Sequence, residues 1–187
     1  MSTQNLKTRL YPSRIDFAVC TRQEVAAILN ATLATTLDLK TQTKQAHWNV
    51  KGMHFYSLHT LFDEIAGELE GYVDMVAERV TALGGFAMGT ARVAATDSIL
   101  PEYPFDILDG KDHVIALSDR FAMYAQHVRE AIDKTDDLGD ADTADLYTEI
   151  SRTVDMRLWF LEAHLQGSEG NATNGNSSAT KTAAQVK

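Results

Sequence analysis

Cysteine is nearly absent from this 187-residue chain. Cys20 stands alone, so no intrachain disulfide framework can hold the fold, and its thiol reads as a buried or incidental one. Proline occurs three times and glycine eleven times, with several glycines near the C-terminus. Long stretches therefore run without a helix breaker. No apolar run approaches the roughly 20 residues that a bilayer span requires. Met1 to Asp16 carries charges but no apolar signal core, which gives a cytoplasmic protein as the expectation. A basic surplus is missing too: the formal net charge is -9, the opposite of what a generic nucleic-acid binder carries. Focused in one place, that charge would attract cations. What the chain does have is 44% hydrophobic residues, enough to fill the core of one domain.

Apolar periodicity predicts four long helices. The first spans about Thr21 to His47. Thr21 and Glu24 have capping-box spacing, and Val25, Ile28, Leu29, Thr32, Leu33, Thr36 and Leu37 recur at helical intervals. The second runs from about Tyr56 to Leu83 and stops at Gly84-Gly85. The third spans about Asp109 to Lys134 and the fourth about Asp142 to Gln166, joined by the acidic loop Asp136-Asp137-Leu138-Gly139-Asp140. Between the second and third lies a long connection with Pro101 and Pro104, which has room for a short helix around Thr90 to Ser98. The expected organisation is an N-terminal arm (1–20), a bundle (21–166) and a Ser/Thr/Asn/Gly/Ala-rich tail (167–187) too poor in apolar surface to fold. Four helices with one long crossover in the middle make an all-α, ferritin-like four-helix bundle.

Histidines and carboxylates cluster on the first two helices. His47 closes the first, while His59/Asp63 and Asp74/Glu78 are i, i+4 pairs on the second. At about 100° per residue the last four fall near 0°, 40°, 60° and 100°, on one face. Imidazole with carboxylate suits iron, manganese or zinc; a solvated acidic face is the plainer reading for Asp74 and Glu78. His59 and Asp74 are fifteen residues apart, roughly 22 Å along one helix at 1.5 Å per residue. The two pairs therefore form two separate sites, or two chains meet antiparallel across a two-fold axis so that the pairs face each other. The Glu-x-x-His motif of an intrachain di-iron bundle is not there. Position i−3 of the six histidines holds Lys44, Lys51, Tyr56, Gly110, Tyr124 or Leu161.

The run Lys44-Gln45-Ala46-His47-Trp48-Asn49-Val50-Lys51-Gly52, then Phe55, Leu58-His59, Asp63, Asp74-Met75-Val76-Ala77-Glu78-Arg79 and Leu83-Gly84-Gly85, resembles the Dps family of mini-ferritins. Asp142-Thr143-Ala144-Asp145-Leu146 and Leu158-Trp159-Phe160-Leu161-Glu162 resemble its fourth helix. The resemblance covers about Thr21 to Gln166. It implies a hollow homododecamer that oxidises Fe(II) to Fe(III), preferably with hydrogen peroxide, and stores the product. The implied ferroxidase ligands are His47, His59 and Asp63 of one subunit with Asp74 and Glu78 of its two-fold partner. Trp48 matches a tryptophan that quenches stray oxidising equivalents. Asp137, Asp140, Asp142, Asp145 and Glu149 resemble the lining of an iron-admitting three-fold pore, with Asp142 and Asp145 the best candidates; an ordinary acidic helix start is the alternative.

The resemblance also raises DNA binding, with nucleoid association. Lys7, Arg9 and Arg14 in the arm and Lys181 and Lys187 in the tail are thin support against a negative shell, so it is not favoured. A cage that buffers zinc or manganese uses the same ligands. His54 and His164 read as exposed or helix-end residues, and His113 and His127 as surface or core. Phe121, Met123, Tyr124, Trp159 and Phe160 read as core and interface packing. Glu64 and Glu68 read either as cavity-facing mineral nucleation sites or as a solvated face.

Overall fold

The computed structural model describes residues 9–169. Five helices follow in order: α1 (Val19–Asn49), α2 (Phe55–Ala82), α3 (Ala91–Asp97), α4 (Gly110–Asp137) and α5 (Ala141–Glu169). The four long ones form the bundle, and α3 lies in the crossover between α2 and α4, as the connection lengths require. Helix α1 packs chiefly on α2, and α4 on α5; α1 also meets α3 and α4. The core runs along the axis through Leu29, Leu33, Phe62, Ile65, Leu69, Leu117, Phe121, Tyr124 and Tyr147, all nearly without exposure.

Helix ends follow local chemistry. The Thr90 hydroxyl accepts from the Val93 N–H at the start of α3, and the Asp109 carboxylate accepts from the Lys111 N–H at the start of α4. The start of α1 differs from the capping-box expectation at Thr21 and Glu24. The helix begins two residues earlier, at Val19, with Ala18 as a cap that supplies no side-chain bond. That region is fixed instead by Arg22, which is buried. Its guanidinium donates to the Leu83 carbonyl at 3.0 Å and the Tyr11 carbonyl at 3.4 Å, joining the arm, α1 and the end of α2. Gly84 makes this junction fit. Its φ is +85°, and a Cβ there would sit 2.6 Å from the Tyr11 carbonyl oxygen. Cys20 is exposed and free.

At the other end α5 runs to Glu169, so 167–169 continue the helix where the sequence suggested tail. The remainder of that tail, 170–187, and arm residues 1–8, which include Lys7, lie outside the described residues, as do Lys181 and Lys187. Among the described helices none is long and apolar enough to cross a membrane.

Candidate metal centre

His47 and His59 are brought together by the α1–α2 packing. Helix α1 ends at Asn49 and α2 starts at Phe55, so the tight turn folds the last turn of one beside the first turn of the other. The rings stack with centroids 3.7 Å apart and 19° between planes. Each Nδ1 reaches the other residue's backbone: His47 Nδ1 to the His59 carbonyl at 2.7 Å, and His59 Nδ1 to the His47 carbonyl at 2.8 Å. A carbonyl can only accept, so both Nδ1 atoms carry hydrogen. A neutral ring held in this way is the tautomer whose Nε2 lone pair is bare. This is the arrangement by which a ligating histidine is oriented from behind. Phe55 stacks on the outer side of His59 at 5.0 Å, and His47 is buried at 8% exposure.

Asp63 lies one helical turn beyond His59, and its Oδ1 is 4.0 Å from His47 Nε2. Lys44, on α1, donates to the same oxygen at 2.6 Å. That hydrogen bond, with the lysine charge and the two imidazoles, holds the Asp63 carboxyl below the ordinary carboxylate range. Lys44 also stands 5.8 Å from the ring centroid of Trp48, which is 61% exposed. Neither Lys44 nor the carbonyl-locked tautomers were legible in the sequence. Both need the α1–α2 register, although Lys44 at i−3 from His47 does share its side of α1.

Asp74 and Glu78 are exposed further along α2 and do not join this group. Asp74 borders a groove of about 600 Å³ with Leu33, Glu70, Gly71, Ala77 and Gly89. Among the described residues no three His, Cys, Asp or Glu side chains of one chain are placed to hold a metal ion. One chain thus carries two half-sets, a nitrogen-rich half at the start of α2 and an all-carboxylate half beyond its middle.

The acidic start of α5 divides. Asp140, read with the pore set, is fully buried. Its Oδ1 takes the Arg79 guanidinium at 2.6 Å and the Thr143 N–H at 3.0 Å, and its Oδ2 takes the Thr143 hydroxyl at 2.7 Å. It caps the helix and anchors Arg79, so it cannot line a water-filled pore. Asp142, Asp145 and Glu149 remain exposed, and Asp142 lies 3.9 Å from Arg79. Glu68 is likewise not a free acid, since Arg157 donates to it through Nε at 2.8 Å and through a second nitrogen, with Glu64 3.6 Å away. His54 and His164 are exposed, His113 is buried and His127 is half-buried. Phe121 and Tyr124 are core residues, while Trp159 is 60% exposed.

A family model described as a ferritin-like domain matches residues 26–169. The chain is 42% identical over 158 residues to a "DNA protection during starvation protein" of Agrobacterium fabrum, covering 84% of this chain and 98% of the relative. It is 32% identical over 161 residues to the protein of that name from Mycolicibacterium smegmatis, covering 86% and 87%. Among solved structures, DpsC from Streptomyces coelicolor superposes with a TM-score of 0.81 at 32% identity, covering 84% of this chain and 92% of that one. A Dps protein from Vibrio cholerae O1, described as a member of a broad superfamily of ferritin-like diiron-carboxylate proteins, superposes with a TM-score of 0.78 at 26% identity, covering 84% and 98%. With a ferritin-like model over most of its length and Dps proteins as relatives and structural neighbours, the chain belongs to the Dps family, whose general work is iron storage and protection against oxidative stress.

Proposed function

We propose that this protein oxidises Fe(II) at sites shared between two subunits and stores the ferric product inside a hollow homododecamer. The observation that carries the reading is the split of the ligand set. His47 and His59 offer two Nε2 atoms beside Asp63, yet among the described residues no three His, Cys, Asp or Glu side chains of one chain are placed to hold a metal ion. Asp74 and Glu78 expose two carboxylates on the same α2 face, too far along the helix to reach. An antiparallel two-fold pairing of α2 sets each half against the other's complement, twice per dimer.

Chemically, the mixed nitrogen and carboxylate set suits Fe(II) and retains open positions for an oxidant. Hydrogen peroxide is the oxidant we favour. One peroxide takes one electron from each of two Fe(II) ions, its O–O bond breaks, and with two protons it leaves as water. Removing Fe(II) and peroxide together prevents the one-electron reaction that releases hydroxyl radical. DNA would be protected by that removal without being bound; the arm cations described are Arg9 and Arg14, both exposed, on a chain of net charge -9. Exposed Asp142 and Asp145, gathered around a three-fold axis, would concentrate Fe(II) at an inlet. Zinc and manganese compete for the same ligands.

The test is anaerobic loading with Fe(II), then peroxide, followed by ferric absorbance and by the mass of the assembly. The wild-type protein gives a fast ferric rise in a particle of twelve chains. Asp74→Ala/Glu78→Ala slows that rise strongly; a double variant as fast as wild type overturns the assignment.

A further inference from the structure

Four tyrosines are buried in this fold, and three of them hydrogen-bond to threonine. Tyr72 donates to Thr153, Tyr124 pairs with Thr36 and Tyr147 with Thr32. The fourth is different. The Tyr103 hydroxyl lies 2.7 Å from His113 Nδ1, with the two rings nearly parallel at 12°. Both residues are buried, at 4% and 1% exposure. The ring's other nitrogen, Nε2, is buried without a partner.

Tyr103 also has a particular neighbour. It lines a cleft of about 490 Å³ whose wall includes Trp48, the exposed indole next to His47. The cleft lies between α1 and the crossover, so the indole beside the candidate metal centre and the buried phenol look onto the same space.

We propose that Tyr103 and His113 form a redox pair that accepts an oxidising equivalent from Trp48, taking it off the exposed surface. The oxidant is a one-electron species such as hydroxyl radical, formed when a single Fe(II) reduces peroxide; this source rests on the ferroxidase reading. The oxidant removes one electron from Trp48, and the indole N–H proton goes to water. Tyr103 then passes one electron to the indolyl radical, which regains a proton from water. In the same step the phenolic O–H bond breaks and its proton goes to His113 Nδ1. The products are intact Trp48, a Tyr103 phenoxyl radical and a His113 imidazolium.

The surroundings explain why the proton must move with the electron. The Arg120 guanidinium sits 5.1 Å above the Tyr103 ring, which disfavours a cationic ring. Threonine hydroxyls are poor bases, so Tyr72 and Tyr124 have no comparable acceptor at hydrogen-bond distance, and Tyr147 reaches an imidazole, His127, only through the Thr32 hydroxyl. An imidazole at hydrogen-bond distance is a competent acceptor. Burial keeps His113 neutral and able to accept at neutral pH, while the Asp112 and Asp109 carboxylates favour the imidazolium once it forms.

Pulse radiolysis of the iron-free protein tests the pair without any metal chemistry. The chain has two tryptophans, so in a Trp159→Phe background the only indole is Trp48. Azide radical oxidises that indole, and its radical is followed by absorbance together with the rise of tyrosyl radical. The expected result is a concentration-independent decay of the Trp48 signal matched by a tyrosyl rise. Exposed Tyr11 and Tyr56 also react directly with the azide radical, so the source of the coupled rise is identified by its loss in Tyr103→Phe. Adding Tyr103→Phe should abolish the coupled rise and prolong the indolyl signal. Adding His113→Gln, which keeps a polar group but no base, should slow the coupled step about a hundredfold, the lower end of what a positioned base contributes. An unchanged coupled rise in Tyr103→Phe overturns the proposal. Because no iron is present, this outcome is independent of whether Asp74→Ala/Glu78→Ala slows iron oxidation.

Discussion

His47 and His59 each hold the other's ring by donating Nδ1–H to the other's main-chain carbonyl, at 2.7 and 2.8 Å. The bond pattern is reciprocal and leaves two Nε2 lone pairs presented side by side. Such support from behind is worth about 10- to 100-fold in metal affinity at histidine sites. Replacing either ring removes one proposed ligand and the stacking partner of the other ring, while the main-chain carbonyl that holds the other ring stays in place. Either His47→Ala or His59→Ala should therefore lower the peroxide-driven oxidation rate at limiting Fe(II) by at least about tenfold. Stopped-flow ferric absorbance checks this, with circular dichroism to show that the helices persist.

Lys44 occupies the Asp63 oxygen that an incoming cation would use. It lowers the pKa of that carboxylate, and it competes with the metal for it. Lys44→Met should move the Asp63 titration up towards the ordinary carboxylate value, seen in its side-chain carbon shift. At pH 7, where Asp63 is ionised with or without the lysine, the same variant should bind Fe(II) more tightly under anaerobic titration.

Asp140 is a structural acid. Removing it leaves Arg79 without its main partner and Thr143 without its cap. Breaking a buried pair costs about 3–5 kcal/mol, so Asp140→Ala should lose stability on that scale in chemical denaturation. Asp142→Ala, from an exposed position, should change stability by no more than about 0.5 kcal/mol.

Much of this architecture was legible in the sequence for identifiable reasons. The prolines stand outside the helices and Gly52, Gly84, Gly85 and Gly139 stand in the turns between them, while Gly67 and Gly71 sit inside α2 without ending it, so element number and order followed from breakers taken together with apolar periodicity. The one-face placement of His59, Asp63, Asp74 and Glu78 followed from helical arithmetic, and the roughly 22 Å gap followed from the helix rise. Other features could not be read from the sequence. Thr21 and Glu24 have the spacing of a capping box, but a tertiary contact, Arg22 to the end of α2, governs that end. Asp140 looks like its acidic neighbours in sequence; only its place against Arg79 separates it from exposed Asp142. Glu68 was ambiguous because its partner Arg157 lies 89 positions away.

His127 gives the fold a dependence on pH. Its Nε2 lies 3.0 Å from the Thr32 hydroxyl, and burial lowers its pKa from 6.5. Below 6.5 the unfolded chain takes up a proton that the folded chain refuses, so stability falls with pH from there down to the lowered folded value. His113 is shifted the same way and adds to the slope. His127→Gln should flatten the acid limb of the curve of unfolding free energy against pH and leave the region above pH 7 nearly level.

The sharing of each site between two chains is tested most directly by complementation. One variant carries His59→Ala/Asp63→Ala and the other Asp74→Ala/Glu78→Ala. Each alone should assemble and oxidise Fe(II) slowly. Dissociated together and reassembled at equal ratio, about half of the two-fold pairs are mixed, and each mixed pair has one complete site and one doubly defective site. About a quarter of the wild-type rate should return in the reassembled particles; particles of confirmed mixed composition that stay as slow as either parent would show that the sites are not shared.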